Sequence, residues 1–494
     1  MKVRLKNGLT VICERWEAAP AVALNLWVKT GSRNERKEEA GISHLIEHMV
    51  FKGTERRGVG ELAREVEASG GEINAFTSSD STVYYITLPA PFSDWGLDLL
   101  AEAVAGPAMD AGELEREREV VLAEIRGGMD QPSRRLQNEL LATCYRQHPY
   151  GRPVIGYERT LRRMGRGELR GFLRRWYCPS NMVLSVVGEL EEKRALSLIE
   201  RAFAPFRGGA PPRLKLRPEP PQRAFRGKLV EGKFHVAHLD LAFRIPHLHH
   251  PDIPALDVLG ALLGQGEGSL LYREVKAERG LVDTISAYAY TPLDPGLLIV
   301  GSTLEPEALP RALEAQLEVI FRLRQGRAGE AELERAKTLV ESDHIYQRET
   351  VQGRARALAY FEALMGGHEK EDLYLTAIRR VSSQDIMRVA RCYLDPRGLS
   401  AACLLPRGSA PGSGVLRSAA GRAWRRCLTT RAPSRRETSV RRYLLPNGLT
   451  LLVKERAEAP LVAVRAAFLG GQRFERRETS GISNFVAEVL DRGT

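Results

Sequence analysis

The final 54 residues of this 494-residue chain repeat its first 54. Residues 441–494 align on residues 1–54 without a gap, at an offset of 440, and 19 of the 54 positions are identical. Asn7-Gly8-Leu9-Thr10 returns as Asn447-Gly448-Leu449-Thr450, and Gly41-Ile42-Ser43 returns as Gly481-Ile482-Ser483. The matches spread over strand-like, turn-like and helix-like positions, which low-complexity bias does not produce, so one folding unit begins at both places. A piece of about 50 residues buries too little apolar surface to stand alone. Residues 441–494 therefore read as the truncated start of a second copy.

Two breaks divide what lies between. The Pro-rich stretch GGAPPRLKLRPEPPQR covers residues 208–223, and an Arg-rich stretch follows residue 405. Residues 1–207 alternate strand-like runs (LTVICERW, AVALNLWVKTGS) with helical patterns (ELAREVEAS, GELEREREVVLAEIRGG). Residues 224–405 repeat that character, with strands near HVAHLDLAFRI and LLIVGSTL and a helix beginning near AELERAKTLVESDHIYQRE. Hairpin-like runs interleaved with helices predict an α+β fold rather than a doubly wound parallel sheet. The expected organisation is two similar α/β-sandwich domains at 1–207 and 224–405, a flexible Arg-rich linker at 406–440, and the incomplete copy at 441–494.

The formal charge of +11 invites a nucleic-acid reading until it is located. Between Pro406 and Arg442 ten arginines face one acid, Glu437, so that stretch carries +9 and leaves +2 for everything else. Near-neutral folded parts argue against a nucleic-acid partner, and the Gly, Ser, Pro and Ala around the arginines suit a solvated linker. No apolar run reaches the ~18 residues of a membrane span. The six cysteines are scattered without a C-x-x-C pair, as in reduced proteins. With no export signal at its start, the chain is expected in the cytoplasm.

The chemistry concentrates in His44-Leu45-Ile46-Glu47-His48. On a helix, His44 and His48 stand four apart and project from one face, close enough to grip one metal ion. Glu47 need not ligate; it can act as general base on a water at the metal. Paired imidazoles with an open coordination position suit zinc. A third ligand is needed, and the helical stretch at 112–128 offers Glu117 and Glu124 on a common face with Val121. Glu124 sits among Val120, Val121, Leu122, Ala123 and Ile125, and so is expected to point inward, where a carboxylate requires a pair or a metal. Spacing alone does not choose between metal ligand and salt bridge, and for Glu117 it leaves the two equally open.

Gly41–Thr54, GISHLIEHMVFKGT, resembles the signature of the inverted-motif zinc peptidases, the relatives of pitrilysin, insulinase and the mitochondrial processing peptidase. The resemblance extends through GGEINAFTSSDSTVYY (70–85), HPYGRPVIG (148–156), YCPSNMVLSVVGEL (177–190) and SLLYREVKAERGLV (269–282). It implies Zn²⁺ held by His44, His48 and a glutamate about 76 residues beyond the second histidine, where Glu124 stands. It implies catalysis by Glu47, with Glu117 supporting the site, and an edge strand on which Asn74 and Ala75 align a peptide. It also implies a substrate that is a peptide or unfolded polypeptide, and a chamber shared between an active and an inactive half. In the second copy His44, Glu47 and His48 become Asn484, Ala487 and Glu488, as an inactive half would have them. Some relatives are non-catalytic partner subunits. That reading competes here, as does a homodimer or a partner chain that supplies the missing half.

Other clusters are weaker. His247, His249 and His250 lie between prolines and read as a surface loop, while His235 and His238 fall on opposite faces of a strand. Gly264, Gly266 and Gly268 lack the Lys-Ser/Thr of a phosphate loop. From its residues alone, Asn74-Ala75-Phe76-Thr77 reads as an ordinary hairpin strand.

Overall fold

The computed structural model describes residues 1–204, 206, 208–326, 328–409, 412, 414–429, 441–454, 464–467, 475, 476, 478 and 480–489. The chain divides into two units, Met1–Pro433 and Ser434–Thr494.

The first unit is built on two sheets. Strands β1 (Lys2–Arg4), β2 (Thr10–Arg15), β3 (Ala21–Val28), β4 (Glu72–Thr77), β5 (Thr82–Pro89) and β6 (Met182–Gly188) form one in the order β1-β2-β6-β3-β5-β4. Strands β7 (Arg226–Gly232), β8 (Ala237–Arg244), β9 (Thr284–Tyr290), β10 (Leu297–Leu304) and β11 (Leu399–Pro406) form the other in the order β7-β11-β8-β10-β9. Set β1 aside, and the two orders are the same when β2 is matched with β7, β3 with β8, and so on. The single parallel pairing matches too, β2 with β6 and β7 with β11. The architecture is α+β, and the two lobes are structural duplicates.

Helices of the first lobe are α1 (Ile42–Val50), α2 (Glu61–Ala68), α3 (Ser93–Ala105), α4 (Ala111–Asp130), α5 (Pro132–Cys144), α6 (Glu158–Leu161), α7 (Arg166–Trp176) and α8 (Glu192–Ala202). The second lobe carries α9 (Ile253–Gly264), α10 (Leu309–Arg322), α11 (Glu330–Tyr346), α12 (Val351–Tyr360), α13 (Lys370–Arg380), α14 (Ser383–Tyr393) and α15 (Val415–Thr429).

Each sheet buries one face under its own lobe and the other under a helix from its twin. Val351, Ala355, Leu358 and Ala359 of α12 pack on Ala23, Trp27, Val183 and Val187 of the first sheet, and Ser185 Oγ donates to the Ala355 carbonyl at 2.7 Å. Reciprocally, Leu136, Leu140 and Cys144 of α5 pack on Ala242, Ile299, Ala402 and Leu404 of the second sheet. Burial on both faces explains why β3 and β6 read as continuous apolar runs, whereas β4, an edge strand, is half exposed.

The Arg-rich stretch departs from the expected flexible linker. Residues 415–429 form α15, whose Leu416, Ala419, Ala420, Ala423 and Cys427 are buried with Phe321 and its neighbours in the core of the second lobe. Those residues recur at helical spacing, and the arginines between them find acids on α10. Arg422 Nη2 lies 2.6 Å from Glu314, and Arg426 Nη1 lies 2.7 Å from Glu318. Residues 430–440 of that linker lie outside the described residues.

The second unit reproduces the opening of the first. Strands β12 (Arg441–Leu444) and β13 (Thr450–Val453) pair antiparallel as β1 and β2 do. Glu475 accepts from the Gly481 and Ser483 amides at 2.6 and 2.9 Å at the start of α16 (Ile482–Val489). Glu35 does the same for Gly41 and Ser43, at 2.9 Å each. Burial differs: Leu9, Ile42 and Leu45 are fully buried, while their counterparts Leu449, Ile482 and Phe485 are 50%, 51% and 68% exposed. The side chains of Asn484, Ala487 and Glu488 lie outside the described residues.

Candidate metal centre

The helix bearing the histidines starts at Gly41, which has φ +99°. A Cβ there would meet the Ile155 carbonyl at 2.6 Å, so glycine is required on both conformational and steric grounds. The two amides opening α1 are held by Glu35, which is only 5% exposed; a carboxylate on the first amides of a helix satisfies donors that have no partner within it. Burial pushes that carboxyl up to about 7, against the two amide hydrogen bonds and the nearby Arg152, which lower it.

Leu45, Ile46 and Met49 anchor α1 in the core, leaving His44, Glu47 and His48 on its partly exposed side. The imidazole rings stand 4.8 Å apart, centroid to centroid. Burial and then the adjacent His48 pull His44 below the ordinary imidazole range, keeping it in the neutral form that ligates metals.

The third donor comes from α4, whose N-terminus is capped by Asp110 accepting from the Gly112 and Glu113 amides at 2.8 and 3.0 Å. Glu124 Oε2 lies 3.8 Å from His44 Nε2 and 3.9 Å from His48 Nε2. Bond lengths of about 2.0–2.2 Å at a tetrahedral metal place neighbouring donors about 3.4 Å apart, so a contraction of about 0.5 Å brings Glu124 to that separation from both histidines, and the three donor atoms lie within 4.8 Å of one another. The three side chains fit a tetrahedral metal with one position open. The other oxygen of Glu124 is held by Arg134 at 3.0 Å, leaving Oε2 as the donor. Contrary to the inward orientation expected for Glu124, its side chain is one-third exposed. Its apolar neighbour Val120 is 50% exposed, because the buried face of α4 runs instead through Leu114, Val121 and Leu122.

Glu117 is buried beside the donors and holds two partners at once. One carboxylate oxygen lies 3.1 Å from His48 Nδ1 and the other 2.7 Å from Lys52 Nζ. Holding Nδ1–H leaves Nε2 of His48 with its lone pair toward Glu124. Among the described residues His44 has no such partner: its Nδ1 is buried without a hydrogen bond, which leaves packing to orient the ring.

Glu47 lies partly buried between these groups and the edge strand. Thr77 Oγ1 donates to Glu47 Oε2, and burial raises the Glu47 carboxyl above its ordinary value, with the Thr77 bond opposing. Among the described residues β4 pairs only with β5, which leaves its outer edge unpaired. Asn74 is exposed there, and its Oδ1 accepts from the Ala75 amide at 2.8 Å. Thr77, Lys52 and Arg134 were not anticipated from sequence. Lys52 continues the α1 spacing four residues after His48; Thr77 and Arg134 carry no comparable signal, because folding alone brings them to α1 and α4.

Among the described residues, one further cluster has donors at metal-binding separation, Glu362, His368 and Glu369. Lys2 Nζ already neutralises Glu362 at 2.8 Å. His247, His249 and His250 lie in a loop and are not among the described groups whose donor atoms come close enough to share an ion. No helix among the described residues is long and apolar enough to cross a membrane.

Residues 10–158 match the family model described as insulinase (peptidase family M16), and residues 163–340 match that of the peptidase M16 inactive domain. An uncharacterized zinc protease of Mycobacterium tuberculosis is 31% identical over 410 residues, covering 83% of this chain and 93% of that protein. The uncharacterized zinc protease YmxG of Bacillus subtilis is 28% identical over 407 residues, covering 82% of this chain and 98% of YmxG. A crystal structure of a protease from Helicobacter pylori superposes with a TM-score of 0.77 at 27% identity, covering 82% of this chain and 99% of that one. With this duplicated fold, these relatives and these matches, the chain belongs to the insulinase family of peptidases, M16.

Proposed function

We propose that this chain is a zinc-dependent metalloendopeptidase that cleaves peptides or unfolded polypeptides. The observation that carries the reading is the convergence of His44, His48 and Glu124 from two helices, with Glu47 between them and the free edge of β4. His44 Nε2, His48 Nε2 and Glu124 Oε2 would hold the ion. Zn²⁺, when bound, supplies Lewis acidity at the scissile carbonyl and lowers the pKa of water.

The remaining work falls to this chain. A peptide added to β4 hydrogen-bonds through its backbone, so affinity does not depend on its sequence, and the Ala75 amide exchanges its Asn74 partner for a substrate carbonyl. Glu47 takes a proton from the attacking water, Thr77 steadies the carboxylate by its hydrogen bond to Oε2, and Glu47 returns the proton to the departing amine. The raised Glu47 carboxyl suits both tasks, since a base closer to neutrality is also a competent acid. Glu117 fixes the tautomer of His48 and does not touch the substrate.

The experiment is chelation and reconstitution. Treatment with a zinc chelator should abolish hydrolysis of a quenched fluorescent peptide, and stoichiometric Zn²⁺ should restore it; hydrolysis that survives chelation would overturn the reading. A partner subunit or homodimer is the second reading, and the exposed apolar residues Ile482 and Phe485 of the second unit would suit such a contact. Mass by light scattering tests it. Cysteines that are free and, apart from Cys392, buried support a reducing compartment such as the cytoplasm.

A further inference from the structure

Strand β4 presents two faces. Thr77 shares the face of Ala75 and Ile73, toward α1 and Glu47. Phe76 lies on the opposite face, where it meets Trp27 edge-on at 6.1 Å between centroids. That face opens into a cavity of about 1340 Å³ lined by Phe76, Tyr85, Tyr288, Tyr360 and Arg356, among others. Tyr288 is 48% exposed and Arg356 is exposed, so solvent reaches this mouth.

Arg356 extends from α12, the helix lent by the second lobe. Its guanidinium carbon sits 5.1 Å from the centre of the Phe76 ring, and it forms no ion pair among the described residues. The other Asp, Arg and His groups lining the cavity have partners, which for the two aspartates are neutral donors, and His344 shares Glu371 with Arg348. Arg348 pairs with Glu371 at 3.1 Å, Asp257 accepts from the Tyr374 hydroxyl at 2.8 Å, and Asp343 accepts from the Gln265 amide. One planar cation stacked on an aromatic ring, beside an unpaired strand edge, is left to face whatever docks on that edge.

A peptide that pairs with β4 has the same pleat, so alternate side chains point to opposite faces of the extended sheet. Those on the Thr77 side approach Glu47; those on the Phe76 side enter the cavity. We infer that Arg356 selects acidic side chains of the bound peptide at the positions that fall beside Phe76. A guanidinium meets a carboxylate with two parallel hydrogen bonds, which an amide or an ammonium does not offer in return. The inference rests on the peptidase reading, because it needs a peptide on β4.

The test uses the full-length, zinc-loaded chain with Glu47→Gln, which should bind peptide without cleaving it. Short peptides blocked at both ends, neutral except for one Glu, Gln or Lys walked along the sequence, are titrated by fluorescence anisotropy. Blocking removes the terminal carboxylate as a competing source. Glu should bind about five- to tenfold more tightly than Gln, and Lys more weakly, at positions two residues apart. Adding Arg356→Glu should invert the order to favour Lys, while Arg356→Lys should keep the preference for Glu. Each ratio is read within one variant, so a general loss of affinity cancels. A preference that is absent, lacks the two-residue period or survives Arg356→Glu overturns the inference. Hydrolysis of the neutral peptide by the chain that retains Glu47 separates the two failures. Cleavage without charge preference removes the role of Arg356 alone, whereas neither binding nor cleavage of any peptide removes the peptidase reading with it.

Discussion

Replacing Glu117 by Gln should weaken zinc binding without touching any donor to the metal. Both oxygens of Glu117 are engaged, one by His48 Nδ1 at 3.1 Å and one by Lys52 Nζ at 2.7 Å, and the side chain is 8% exposed. A glutamine has one acceptor oxygen. The ammonium claims it, and the amide NH₂ then faces Nδ1. The His48 proton is driven to Nε2, the atom that must present a lone pair toward Glu124. The loss is one charge-assisted hydrogen bond in a place with little solvent to replace it, about 1.5–3 kcal/mol. That corresponds to a zinc dissociation constant about 10- to 100-fold higher, the range known for groups that orient a metal-bound histidine. Competition with a chromogenic chelator measures the constant, and urea unfolding of the metal-free forms shows whether the fold itself has changed. A constant within about threefold of the parent would refute the reasoning, for it would mean that packing, as with His44, already fixes the His48 ring.

Three further outcomes follow from the geometry. Glu124→Ala should purify with little zinc, as read by elemental analysis, and full metal retention would move the third ligand elsewhere. Glu35, buried and raised to about 7 from 4.5, binds a proton more readily in the folded chain than in the unfolded one. The stability this confers is complete below pH 4.5 and is lost as pH rises through 7, up to about 3 kcal/mol; Glu35→Gln should flatten that slope in urea titrations at pH 5 and pH 8. Ala423 is fully buried on α15, so Ala423→Asp should cost the first unit about 3 kcal/mol or more, and a change under about 0.5 kcal/mol would detach α15 from the core.

How far these features could be read in advance differs by kind. The strands around LTVICERW and AVALNLWVKTGS and the helix spacing of the H-x-x-E-H segment were legible, because alternation and the 3.6 period report local geometry directly. The pairing of His44 and His48 followed from a four-residue step, and Glu124 followed from resemblance more than from its surroundings. The exchange of α5 and α12 between lobes was not legible. An apolar stripe says that a helix face will be covered, not which sheet will cover it. The same limit concealed α15. Its arginines dominated the composition, while Leu416, Ala419, Ala423 and Cys427 already stood at helical intervals, and the acids that neutralise the arginines, Glu314 and Glu318, lie more than 100 residues earlier. Thr77 and Arg134 belong to the site only through tertiary packing.

The account stands most directly on Glu47. Glu47→Gln removes the proton acceptor while leaving His44, His48 and Glu124 in place, so zinc content and peptide hydrolysis should be measured together on this variant and its parent. The account predicts about one zinc per chain in both, with hydrolysis confined to the parent. A variant that keeps its zinc and still cleaves the peptide would contradict it.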